Sequence, residues 1–121
     1  MNLAKTNHER HSKVEEFMLI NDSATIAVEV PVYIYPNEVN LTSFKLDRPL
    51  TGHIDLLQIR WNKIHILDYK PEAEDKKKAV EQLLLYAMAL SKRCKIDIKN
   101  FICAYFDEKN YFEFNPLKTL I

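Results

Sequence analysis

Glycine is almost missing from this chain of 121 residues: Gly52 is the single one. A phosphate cradle of the dinucleotide or P-loop kind needs several glycines, so most nucleotide-binding readings fall away. Cysteine is nearly as scarce. Cys94 and Cys103 have no metal-ligand spacing between them and are expected to be reduced and structural. Net charge is missing too, with 17 basic residues against 17 acidic ones. That removes the global positive field many nucleic-acid binders use and leaves such a partner to a local patch. No apolar run approaches the roughly 20 residues that cross a bilayer, and the segment MNLAKTNHERHSKVEEF lacks the apolar middle of a secretory signal. The expectation is a soluble, cytoplasmic protein without membrane contact. Repeats, linkers and low-complexity tracts are absent as well, and 47% hydrophobic content over this length predicts one domain, residues 1–121.

The periodicities that are present predict the order α-β-β-β-α-β-β. Apolar residues at helical spacing (Leu3, Val14, Phe17, Met18) predict a helix over 3–21, stopped by Asn21, Asp22 and Ser23. ATIAVEVPVYIY, residues 24–35, is β-branched and aromatic; Pro31 inside it argues for an edge strand or a bulge. After an irregular stretch over 37–49, GHIDLLQIR and IHILDYK predict a hairpin. A two-residue Asn62-Lys63 turn would set Trp61 opposite Ile64, Leu57 opposite Asp68 and Asp55 opposite Lys70. Asp55, Asp68 and Lys70 would then share one face of the sheet. Pro71 ends that strand, and 72–93 reads as a long amphipathic helix burying Ala79, Val80, Leu83, Ala87 and Leu90, acidic at its start and basic at its end. A second hairpin joins 100–106 to 111–114 around Asp107 to Asn110, closed by Pro116.

Two carboxylates and a lysine on one sheet face invite a cation, because like charges buried together cost several kcal/mol unless neutralised. Both aspartates lie within apolar runs, away from strand ends where solvation is cheap. Asp55 and Asp68 offer hard oxygen ligands suited to magnesium, with manganese able to substitute. Lys70 is placed to orient or help deprotonate a water and to offset charge on phosphorus. The plainer reading of Asp-x-Lys is a solvated strand face with a weak surface ion pair.

Gly52-His53-Ile54-Asp55, then Asp68-Tyr69-Lys70, then Gln82 and Tyr86 one helical turn apart, resemble the PD-(D/E)XK nuclease superfamily, especially its RecB-like branch. The resemblance covers about residues 8 to 115. It implies a restriction-endonuclease-like α/β (α+β) core, a central mixed sheet flanked by helices. It also implies that Asp55 and Asp68 bind the metal, with the Tyr69 carbonyl as a further ligand, that Lys70 is catalytic, and that Gln82 and Tyr86 line the DNA side. No proline precedes Asp55, and the second acid is aspartate where glutamate is commoner. RecB-like members carry a ligand histidine on the first helix. With Val14, Phe17 and Met18 as the buried stripe, His11 lies roughly 70° from its centre and His8 roughly 130°, which favours His11. Glu29 resembles the acid that often precedes Gly-x-x-Asp; metal ligation and a structural pairing are both open to it.

Lys77, within the run Lys76-Lys77-Lys78, offers a phosphate contact or a solvated helix face. The aromatics of the second hairpin suit core and dimer surface better than base stacking. The expected function is a magnesium-dependent deoxyribonuclease working on DNA as a homodimer or within a larger nucleoprotein assembly. Its rivals are an inert nuclease-fold module for DNA binding or protein assembly, and a purely structural ion-pair cluster.

Overall fold

The computed structural model describes Glu15 and residues 24–39, 46–70 and 76–120. Its centre is one five-stranded mixed sheet in the order β1-β2-β3-β4-β5. The strands are β1 (Thr25–Ile34), β2 (Leu50–Arg60), β3 (Lys63–Tyr69), β4 (Phe101–Phe106) and β5 (Tyr111–Phe114). Helix α1 (Lys76–Cys94) joins β3 to β4, the one parallel pair, as a parallel connection requires. A short helix, α2 (Pro116–Leu120), begins at the proline expected only to close the hairpin; proline suits a first helical turn, where its missing N–H costs nothing. The expected helix over 3–21 lies outside the described residues except for Glu15, which is helical, and so does the expected acidic start of α1.

Pro31 sits where its missing donor does least harm, in β1 at the sheet edge. The pairing of β1 with β2 shifts between Thr25 and Ala27, while Pro31, where a bulge was the alternative to an edge position, pairs regularly with His53. A second irregularity falls at Glu29, whose φ of 51° is left-handed. Residues two apart share a face in a regular strand, yet Val28 and Leu56 pack with Leu67 and Ala104, while Val30 and Ile54 belong to the main core with Ile66, Leu83 and Cys103. The pleat therefore changes sides between β1 and β2 where Glu29 and Asp55 stand.

The β2–β3 turn corrects the expected register. Trp61 and Asn62 form the two-residue turn, with φ of 54° and 62°, and Arg60 pairs Lys63. Leu56 then faces Leu67, Leu57 faces Ile66 and Ile59 faces Ile64. The expected register would have set Leu57 against Asp68 and Gln58 against Leu67, so matched apolar pairs favour the observed one. Lys70 does not oppose Asp55: the ladder ends at Leu56–Leu67, and its register, if continued, would set Asp68 there instead. In α1, burial runs unbroken from Leu83 to Ala89, wider than the single predicted stripe, and Val80 and Leu90 are half-buried.

Candidate metal centre

Four carboxylates meet where the pleat changes sides. Asp55 is 8% exposed and Asp68 5%, and their side chains are in hydrogen-bonding contact. Asp55 Oδ2 also accepts the backbone N–H of Tyr69 at 2.8 Å, which locks the carboxylate to the neighbouring strand. Glu29 reaches the same place from β1, and Glu15 arrives from the N-terminal segment. Carboxylate oxygens of Glu15, Glu29 and Asp55 all lie within 4.8 Å of one another. Ligands at about 2.1 Å from one ion stand at most about 4.2 Å apart, so small side-chain rotations close the set.

The electrostatics show what such a cluster costs. Burial, then the bond and charge of Asp68, push the Asp55 carboxyl up to about 9. Burial, then Glu29, push Glu15 up to about 8. Without a cation these groups hold protons. Glu15 is 4% exposed, and its Oε2 has no hydrogen-bond partner among the described residues. A buried orphan oxygen facing other acids is what a divalent ion would satisfy, and the all-oxygen donor set suits a hard one.

Lys70 is the cation at the edge of this group. Its Nζ lies 3.0 Å from Asp68 Oδ2 and donates to Gln82 Oε1 at 2.9 Å, while its backbone N–H bonds the Phe106 carbonyl and so extends the β3–β4 ladder. Gln82 Nε2 in turn donates to Tyr86 Oη at 2.9 Å. Tyr86 is 4% exposed, and burial, then the charge of Asp68, raises its pKa. So buried a ring offers nucleic acid no stacking face. Tyr69 is buried with its ring edge-on to Phe106. Lys77 is exposed on the first turn of α1, as are Lys76 and Lys78, and Lys76 rests over the Phe112 ring.

The structure thus gathers Glu29, Asp55, Asp68, Lys70, Gln82 and Tyr86, and leaves Lys77 on the nearby surface. His11 and His8 lie outside the described residues. Glu15 was missed by the sequence reading. It follows His11 by four positions, the spacing that shares a helix face, so weighing acids beside the histidines would have found it.

A family model of the PD-(D/E)XK nuclease superfamily matches residues 3–112, which include every one of these side chains. The chain belongs to that superfamily. Among solved structures, the crystal structure of SSO0001 is similar at 20% identity with a TM-score of 0.51, over 87% of this chain and 46% of that one. At that identity the likeness is one of fold, and it agrees with the restriction-endonuclease-like α+β core expected of a PD-(D/E)XK protein. The chain spans less than half the length of that relative. No match is found among curated proteins. Among the described residues, no helix is long and apolar enough to cross a membrane. PD-(D/E)XK nucleases use divalent metals and act on nucleic acid; the acidic cluster is where this chain would hold such an ion.

Proposed function

We propose that the chain is a single-domain, magnesium-dependent DNA nuclease of the RecB-like branch, with manganese able to substitute. The observation that carries this is the convergence of Glu15, Glu29, Asp55 and Asp68 beside the ammonium of Lys70. Among the described residues, four acids against one base leave an excess of negative charge that protons or a cation would offset. Asp55, Asp68, Glu15 and Glu29 would hold the ion with the Tyr69 carbonyl; the expected ligand His11 lies outside the described residues. When bound, a divalent cation supplies Lewis-acid polarisation of a phosphodiester. Lys70 holds its ammonium where charge grows on the phosphoryl oxygens and orients the attacking water. Water forms the new P–O bond as the ester P–O bond breaks, and the leaving oxygen takes up a proton. Lys77, exposed on the first turn of α1, contacts the phosphate backbone.

The domain is small, so a homodimer or larger nucleoprotein assembly supplies the rest of the grip on DNA. Both cysteines are free and Cys94 is exposed, which suits the reducing cytoplasm. The test is cleavage of DNA by purified protein with magnesium or manganese. Activity should vanish with EDTA and in Asp55→Ala, Asp68→Ala and Lys70→Ala; cleavage surviving in all three variants would place the chemistry elsewhere.

One observation favours a second reading, an inert nuclease-fold module for DNA binding or protein assembly: protons on Glu15 and Asp55 would remove most of the cluster's excess charge without any ion. Calorimetric titration separates the two. A module of that kind takes up no magnesium at neutral pH, whereas the nuclease binds it and releases protons as it does so.

A further inference from the structure

Tyr86 and Gln82 form the inner part of a chain of polar contacts that ends at Lys70. The Tyr86 hydroxyl accepts from Gln82 Nε2 at 2.9 Å and lies near the His53 backbone on β2. The other end of the same amide, Oε1, accepts from Lys70 Nζ at 2.9 Å, and Asp68 Oδ2 stands 3.0 Å from that ammonium. A carboxamide has one accepting end and one donating end. Anchoring its NH2 on the tyrosine oxygen turns its carbonyl toward the ammonium; the reversed amide would set donor against donor.

What lets Tyr86 reach β2 is Gly52. A Cβ at that position would stand 2.8 Å from Cζ and 2.9 Å from Cε1 of Tyr86, and nearer still to the hydroxyl. Non-bonded carbons prefer about 3.5–4.0 Å, so the ring occupies its place only because residue 52 has no side chain. Its φ is not left-handed, so the glycine supplies room and not backbone freedom.

We infer that Gly52 and Tyr86 are positioning residues that act through Gln82 to hold the Lys70 ammonium against Asp68. The consequence for catalysis rests on the nuclease reading; the mechanical link does not. Gly52→Ala pushes the tyrosine off β2, Tyr86→Phe removes the hydroxyl, and Gln82→Ala removes the link without adding bulk to the core. All three should displace the Lys70 ε-methylene NMR signal in the same direction, and Gly52→Ala and Tyr86→Phe should also displace the Gln82 side-chain amide. Circular dichroism melts confirm that each variant is folded; if Gly52→Ala is not, Tyr86→Phe and Gln82→Ala still decide.

Unmoved Lys70 signals in the folded variants would overturn the inference. In the cleavage assay each variant should lower kcat by on the order of tenfold to a hundredfold, as a small misplacement of a reacting group does, with KM for DNA nearly unchanged. The pair Gly52→Ala with Gln82→Ala should be no worse than the poorer single variant, since both break one chain. Multiplying losses, or a KM rise at constant kcat, would refute it by showing separate roles or direct substrate contact. Wild-type protein that cuts no DNA with any divalent cation would defeat the nuclease reading, while the NMR comparison would still decide whether the chain exists.

Discussion

At the scale of single residues, the acidic cluster sets function against stability. An acid whose folded pKa is raised binds protons more tightly folded than unfolded, so stability is greatest at low pH and falls as pH rises. For Asp55 the window runs from its ordinary 3.8 to about 9, and for Glu15 from 4.5 to about 8. Metal-free protein should therefore melt at a lower temperature at pH 9 than at pH 6 through these groups. Asp55→Asn keeps an oxygen for the Tyr69 N–H and deletes the charge. In metal-free buffer at pH 9 it should gain about 1–2 kcal/mol over wild type, a gain that shrinks toward pH 5. Magnesium should raise the Tm of wild type and not of the variant. Equal pH slopes for the two proteins in thermal melts would count against the cluster as the origin.

At the scale of elements, the β2–β3 hairpin carries both the register and the site. Any two-residue turn pairs an odd-numbered residue with an even one, so Asp55 and Asp68 fall on one face whether the turn is Trp61-Asn62 or Asn62-Lys63. That parity is why the face was legible although the partner was not. The turn itself is poorly built: Trp61 is 90% exposed and holds a φ of 54° that asparagine or glycine tolerates better. Trp61→Asn with Asn62→Gly should stabilise by roughly 0.5–1 kcal/mol, read as a higher Tm with cleavage unaltered. A lower Tm would mean that the indole packs on a neighbour the register does not reveal.

At the scale of the whole molecule, the proposed binding of DNA by a chain without net charge would run through local contacts. Lys77→Ala should weaken DNA binding about equally for all sequences and reduce the salt slope of log K by about one, measured by titration at several ionic strengths. An unchanged slope would leave Lys77 as a solvated helix residue. The likeness to SSO0001 covers 46% of that chain, so more than half of that relative lies outside the shared fold.

The order of the five strands, the helix between β3 and β4, the edge position of Pro31 and the shared face of Asp55 and Asp68 were readable from periodicity, because burial imposes its period on residue choice. The motif Gly-x-x-Asp, Asp-x-Lys, Gln-x-x-x-Tyr pointed to the superfamily for the same reason: its spacing matches strand, strand and helix. The strained φ of Glu29 and the seating of Tyr86 over Gly52 were not readable. Each depends on where a distant segment comes to rest, and a pattern local to one element carries no information about the side chain that another element brings against it.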